Sequence, residues 1–549
     1  MRILTSAEVR QAELEAISRA GMSTLVLMHR AGCAVTQFCL SHFKFNSVCV
    51  VCGRGSNGGS GMAAAESLRE IVANVSVVIL AKEASELSDE AAAMSSRLTA
   101  EPIWLADEAG LEDVTVRDAL RADLIVDAIA GANFKAPLEG LACKAVAAIN
   151  DAFGTIVSVD VPSGVDADHK GPAHESNDDA VFAHGIITFV APKPAHIFGE
   201  LTTGPIAVSE IGVQPAIVSN STGLAVITGQ AVGITFPPRL HEAHKGQMGH
   251  VLVIAGSRGK AGAAGLAGMA ALRTGAGLVT VACPKSIEAM VAGFAPELMT
   301  ESLEETAEGT IATEARDQLE SLLTGKSVIV LGPGLSANPE TRRLVRQLVA
   351  RCRLPLILDS DGLSAFEGHY GELKVTRNKF RVLIFHPEEA ARLLGISIEE
   401  IEADRTGVAR RISNETGSCV VLKGQRTVVA GVSGETWLNL TGNSVLAKSG
   451  SGNVLSGMIG AALAKHAESQ LQIEDADDQH SQGNSNQASV FLKDINVAAA
   501  VYLHGLAGDI ARDVLHENTA LATDVLESLT EAFRDCDLQM ERSLFYLRK

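Results

Sequence analysis

Short runs of β-branched and aliphatic residues return along the chain at helix-length intervals, and most close on glycine, aspartate or proline. In the N-terminal part they are Ser47–Val51, Ser76–Leu80, Leu124–Ala128, Ile156–Val161 and Ile186–Val190. An apolar run without polar alternation suits a strand buried on both faces. Such strands, separated by helix-like segments, predict a mostly parallel sheet with helices on both sides: an α/β fold. Only 4% of residues are aromatic, against 46% hydrophobic and 51 glycines, which fits layers built from Val, Ile, Leu and Ala.

The pattern occurs twice. Gln214–His241 shows no strong helix and carries Pro237-Pro238, so a boundary is expected there, with residues 1–222 as the first domain and 223–549 as the second. A length of 549 residues also exceeds one ordinary domain. Second-half strands are predicted at His250–Ala255, Leu278–Ala282, Ser327–Leu331, Leu356–Leu358, Val382–Ile384, Cys419–Leu422 and Thr427–Ala430. Residues 468–487 turn to acid, Gln, Asn and Ser, the composition of a disordered insertion between two helices.

A formal net charge of −19 argues against nucleic acid or an anionic membrane as the main partner, while leaving room for a local phosphate pocket. No apolar run reaches the ~20 residues of a transmembrane helix, and the amphipathic N-terminus has no apolar signal core. Nine cysteines without a framework spacing fit a reducing cytoplasm; Cys49 and Cys52 form a CxxC inside an apolar run and are expected as buried thiols.

Chemistry-bearing residues gather where strands end, which is where parallel sheets bind ligands. Gly53–Gly61 follows the first strand and precedes a helix expected at Met62–Ile71, the geometry of a phosphate or ribose cradle. Asp127 and Asp160 end later strands and Ser163 follows closely; the two acids are placed to share a cation or supply a general base. In the second half Leu331–Leu335 (LGPGL), Asp359 and Asp361, His386 and Lys423 mark further strand ends. Lys448–Gly457 (KSGSGNVLSG) is a glycine turn feeding a helix expected from Val454, another anion cradle. Kinase-like folds with this arrangement usually keep a carboxylate at the helix start to take a proton; here Asn453 stands there, and an amide cannot act as a base.

These motifs, together with LTSAEVRQAE, LVLMHRAG, DVPSG, HKGQMGHVLVIAGS, HPEEA, LKG and YLHGLAGDIA, resemble the bifunctional NAD(P)H-hydrate repair enzymes over nearly the whole chain. The resemblance implies a Rossmann-like three-layer N-terminal domain with hydrate epimerase activity. It also implies a ribokinase-like three-layer C-terminal domain that dehydrates the hydrate with ADP or ATP and magnesium. By resemblance, Ser56, Asn57, Gly58, Gly59 and Ser60, with Gly131, Ala132, Asn133, Phe134, Lys135, Ala136 and Pro137, line the first hydrate site. Asn57, Asp127 and Ser163 hold potassium, and Asp160 contacts the substrate or moves its proton. Ala263, Ser336, His386 and Asn453 fall where the family binds the hydrate in the second domain. Lys423, Gly424, Gln425, Arg426, Thr427 and Gly452 fall where it binds the nucleotide. The same resemblance implies small-molecule substrates and a homo-oligomer.

Departures from the family pattern lie at functional places. Ser56 and Ser60 replace Asn and Asp, Glu66 stands for a common Arg and His29 for a common Glu. Ser336 replaces Gly, and GSGN replaces GTGD. Three readings follow: a repair enzyme with at least one working domain, a pseudoenzyme that binds nucleotide or hydrate without efficient turnover, and a ribokinase-like small-molecule kinase. Asn453 argues against the last most directly.

Overall fold

The structure, a computed structural model, describes residues 1–135, 137–169, 180–213, 223–239, 241–375, 379–474, 482–539 and 545–548. The chain forms two compact units that divide between Thr222 and Gly223.

In the first unit the strands are β1 (Ser47–Cys52), β2 (Asn74–Ile79), β3 (Ile103–Trp104), β4 (Leu124–Ala128), β5 (Thr155–Val159), β6 (Gly185–Phe189) and β7 (Ile206–Ser209). They pair in parallel in the order β7-β6-β5-β4-β1-β2-β3. Period-two alternation sends Val48, Val50 and Cys52 into a core with the helices Thr24–His42 and Ser56–Arg69. Cys49 and Val51 enter the opposite core with the helix Gly140–Asn150. Both cysteines of the CxxC are therefore buried, and burial pushes the Cys49 thiol up to about 12. The chain order reverses between β1 and β4, which sets a crevice at their carboxyl ends.

The second unit holds β8 (Leu224–Val226), β9 (His250–Ile254), β10 (Leu278–Pro284), β11 (Met299–Leu303), β12 (Val328–Leu331), β13 (Leu356–Asp359), β14 (Arg381–Phe385), β15 (Cys419–Leu422), β16 (Val428–Ala430) and β17 (Thr436–Leu438). Their order is β11-β10-β9-β12-β13-β14-β15-β16-β17-β8, with β16 antiparallel to both neighbours. Val251, Val253 and Ala255 pack against the helices Ala261–Arg273 and Ser451–Glu474, while Leu252 and Ile254 are buried on the other face. The switch of order lies between β9 and β12.

Several expectations need correction. Gln214–His241, read as lacking a strong helix, holds the short strand β8 and the seven-residue helix Gly229–Thr235, while residues 214–222 and 240 fall outside the described residues. The final strand β18 (Phe545–Arg548) pairs antiparallel with β7, so it belongs to the first unit rather than to the second domain. Of the expected insertion, residues 468–474 continue the helix Ser451–Glu474 and 482–487 open the helix Gln482–Leu515; residues 475–481 fall outside the described residues. Ala488–Leu515 is long and apolar enough to cross a membrane, contrary to the sequence reading, but 67% of its most apolar stretch is buried inside the protein.

Candidate active sites at two sheet switch points

In the first unit the chain leaves β1 through Gly53 and enters a helix at Ser56, six residues earlier than expected. The glycines explain the difference. A Cβ on Gly53 would fall 2.0 Å from the Ile129 carbonyl oxygen, and one on Gly58 would fall 1.9 Å from that of Gly53. Only glycine lets the first helical turn settle this closely on the tips of β1 and β4. Asn57 in that turn donates its amide to the Val159 carbonyl at 3.2 Å. Gly58 and Gly59 turn inward, Gly59 toward the Met28 sulfur, and Ser60 donates to the Ser56 carbonyl at 3.2 Å. They shape the turn from behind, whereas Asn57 faces the crevice.

Asp127, at the tip of β4, is completely buried. It accepts hydrogen bonds from the Ser158 hydroxyl at 2.8 Å, the Ser163 N–H at 2.9 Å, the Ser163 hydroxyl at 2.5 Å and the Ile129 N–H at 3.3 Å. Burial raises its pKa above the ordinary carboxylate range, against the lowering effect of these bonds. Among the described residues no cationic side chain pairs with it. Asn57 Oδ1, the Asp127 carboxylate and Ser163 Oγ are hard oxygen donors, and a buried carboxylate without a counter-charge suits a cation such as potassium.

Asp160 follows β5 with φ +71°, a left-handed backbone that turns its carboxylate into the crevice. Its Oδ1 lies 2.6 Å from Lys193 Nζ and accepts the Thr188 hydroxyl at 2.9 Å, and its Oδ2 accepts the Ala132 N–H at 2.8 Å. Burial pushes this carboxyl up, but the Lys193 charge and the hydrogen bonds from Lys193 and Ala132 outweigh it and hold the pKa below the usual range. The two acids do stand at adjacent strand tips; Asp160, however, takes Lys193 as partner instead of sharing a cation site with Asp127. His196 Nε2 lies 2.8 Å from the Asp160 carbonyl oxygen, and burial, with the Lys193 charge, lowers its pKa to about 4.

A Cβ added to Gly131 would sit 3.1 Å from Asn57 Oδ1 and 3.2 Å from Asp160 Oδ2, so Gly131, Asn57 and Asp160 converge on one point. Ala132 joins them through its N–H. Asn133, Lys135 and Pro137 are exposed and Phe134 is half-buried beyond that point. Ala136 lies outside the described residues. Lys193, Thr188 and His196 were missed from sequence; the one signal was a lysine in the apolar string FVAPKPAH just past a strand.

In the second unit the helix starts at Ser451, not Val454, so Gly452 and Asn453 form its first turn, after Gly450 at φ +95°. Lys423 extends from the end of β15 and its Nζ lies 3.3 Å from Oδ1 of Asp359, the last residue of β13; both are buried. Ser456 donates to Asp359 Oδ2 at 2.5 Å. A Cβ on Gly452 would lie 3.2 Å from Lys423 Nζ, which points the ammonium at the open helix end. His386 caps the helix Pro387–Leu394; burial and the Lys423 charge lower its pKa. Asn453 is half-buried.

Gly424, at φ +140°, Gln425, Arg426 and Thr427 form the turn after β15. Arg405 clamps that turn, donating to the Gln425 carbonyl at 2.5 Å and to the Lys423 carbonyl at 2.8 Å. Across the switch point, Ser257 donates to the Gly334 carbonyl at 2.8 Å, and a Cβ on Gly334 would lie 2.9 Å from Ala263 Cβ. Ser336 adopts φ +72°, a conformation glycine accepts freely, and its N–H donates to Asp361 Oδ2 at 2.7 Å. Lys260 holds the same carboxylate at 3.2 Å. Arg405 and Lys260 were likewise absent from the sequence reading.

Residues 24–195 match the family described as YjeF-related protein N-terminus, and residues 251–531 match NAD(P)H-hydrate dehydratase. The bifunctional NAD(P)H-hydrate repair enzyme of Moorella thermoacetica is 33% identical, covering 98% of both chains. The Escherichia coli enzyme of the same name is 31% identical over 95% of this chain and 92% of its own. A crystal structure of the Bacillus subtilis ADP/ATP-dependent NAD(P)H-hydrate dehydratase, 26% identical, covers 58% of this chain and 100% of its own with a TM-score of 0.46. By these two matches and by relatives above 30% identity along nearly its whole length, the chain belongs to the family of bifunctional NAD(P)H-hydrate repair enzymes.

Proposed function

We propose that the first unit interconverts the two epimers of hydrated NADH or NADPH and that the second removes water from one of them with the help of ADP or ATP. The observation that carries the reading is the pair of buried charge networks, Asp160–Lys193 and Asp359–Lys423, at the carboxyl ends of strands in two parallel-stranded sheets of one chain that matches these enzymes over nearly its whole length.

In the first unit, epimerisation needs the hydroxyl to leave the hydrated carbon and return on the other face. Asp160, aimed by Lys193, Thr188 and the Ala132 N–H, is placed to hand over and recover the proton of that exchange. Asn57, Asp127 and Ser163 would hold potassium, which supplies a fixed positive charge for an oxygen of the ligand. In the second unit, Lys423 and the N–H groups of the first helical turn receive nucleotide phosphate, with magnesium arriving on the nucleotide. A homo-oligomer in the cytoplasm completes the proposal; light scattering on the purified protein tests the first part.

The test is conversion of mixed epimers to the reduced cofactor by purified protein with ADP or ATP and magnesium, read by absorbance. Full conversion means that both units work. Asn453→Asp is expected to raise dehydration at least tenfold, since a placed base contributes ~10²–10⁴ in rate; an unchanged rate would place residue 453 outside the chemistry. Asn453 also favours a second reading, a unit that binds nucleotide without turnover, which predicts an ADP-dependent thermal shift and no product.

A further inference from the structure

Residue 453 offers no carboxylate, yet the glycine turn is not without one. Asp359 rises from the end of β13, completely buried, and meets the start of the helix Ser451–Glu474. The Ser456 hydroxyl that binds its Oδ2 also lies 3.0 Å from the Gly452 carbonyl oxygen, fixing the carboxylate to that first turn. A Cβ on Gly452 would come within 4.0 Å of Asp359 Oδ2, so the carboxylate lies beside the position that Asn453 follows. The neighbouring acids are committed elsewhere. Asp361 is taken by Lys260 and the Ser336 N–H, and Glu389 accepts the His386 N–H at 2.8 Å to close its own helix.

We infer that Asp359 is the proton acceptor of the nucleotide-dependent step in this chain, in place of the acid missing at 453; this rests on the dehydratase reading above. The entering phosphate draws Lys423 Nζ toward the open helix end and uncovers Asp359, which Ser456 keeps in place. The hydroxyl oxygen of the hydrate attacks the terminal phosphorus. A new O–P bond forms, the bridging P–O bond breaks with its electron pair remaining on the departing nucleotide, and the hydroxyl proton passes to Asp359. The phosphorylated oxygen is then the leaving group for dehydration.

The experiment compares wild type, Asp359→Asn, Asn453→Asp and the double variant, with kcat, KM and ADP affinity measured on the full chain. Asp359→Asn is expected to lower kcat by about 100-fold with ADP affinity kept within about threefold, the loss falling on the proton transfer and not on binding. Adding Asn453→Asp to it is expected to return kcat to within about tenfold of the Asn453→Asp single variant. Unchanged kcat in Asp359→Asn overturns the inference, as does a double variant that binds ADP and stays inactive. If Asp359→Asn loses ADP binding or fails to fold, Ser456→Ala decides: it leaves the Asp359–Lys423 pair whole and must lower kcat more than it raises KM, or the inference falls. A wild type that interconverts epimers and binds ADP without dehydrating also overturns it. If Asn453→Asp is inactive as well, the dehydratase reading itself has failed.

Discussion

Replacing Lys193 with Met keeps most of the side-chain volume and removes one charge from a nearly sealed pair, since the Lys193 side chain is 1% exposed and that of Asp160 14%. Asp160 would keep the Thr188 and Ala132 bonds but lose its counter-ion. Breaking a buried pair from one side costs about 3–5 kcal/mol, because the remaining charge stays desolvated. That is a large share of the ~5–15 kcal/mol that stabilises a domain.

The pH dependence separates this account from simple loss of packing. In the wild type the Asp160 pKa is held low, so the pair contributes stability above the ordinary carboxylate range and loses it as pH falls. In Lys193→Met burial is opposed only by the remaining hydrogen bonds and by His196, and the pKa moves up. A raised carboxylate contributes stability below its unfolded pKa and loses it as pH rises through the folded one. The variant should therefore be hurt most above the ordinary carboxylate range and recover relative to wild type as pH falls through that range. Hydrogen exchange of β5 and β6 amides in the full chain reads this opening energy for the first unit alone. Asp160→Asn combined with Lys193→Met should restore much of the loss, as neither charge then remains. A cost below about 1 kcal/mol, or one that does not change with pH, would refute the argument, since an exposed pair is worth that little.

Gly131→Ala should abolish epimerisation with little change in stability, because the new methyl enters the space between Asn57 and Asp160 at 3.1 and 3.2 Å. Gly58→Ala should instead unfold the helix start, its methyl meeting backbone at 1.9 Å; melting curves and epimerase rates tell the two apart. Potassium should stabilise the first unit by about 2.7 kcal/mol at a hundredfold excess over Kd, seen as a higher melting temperature that tetramethylammonium does not give, and Asp127→Asn should remove the effect. Buried His196 and His504, each lowered to about 4, stay neutral while the unfolded chain protonates. Each should cost about 3 kcal/mol of stability as pH falls from 6.5 to about 4, and His504→Gln should flatten that slope in urea titrations of the second unit.

The central strands were legible because a strand buried on both faces is a continuous apolar run, and Leu124–Ala128 and Cys419–Leu422 were read to the residue. Edge strands lack that signal. β11 carries MTESL, β3 has two residues, and β18 pairs with β7 across more than half the chain, so no local pattern reports it. The two glycine turns were read as longer loops because glycine disfavours helix; close packing against strand tips overrode that preference. Strand-tip acids were legible by the same logic as the strands, whereas Lys193, Lys260 and Arg405 look in sequence like any solvated cation.

A stricter use of electrostatics would have found one of them. A carboxylate buried at a strand tip must be neutralised, so Asp160 demanded a cation near the ends of neighbouring strands, and FVAPKPAH supplies it just after β6. Applied to Asp127, the same demand finds no lysine or arginine partner among the described residues. The two acids thus differ: Lys193 neutralises Asp160, whereas Asp127 is met by hydrogen bonds from Ser158, Ser163 and Ile129, and on the proposal above a cation from solution would complete its site. Potassium dependence should accordingly follow Asp127 and not Asp160. A variant that brings a lysine into ion-pair reach of Asp127 should fold without potassium and no longer respond to it.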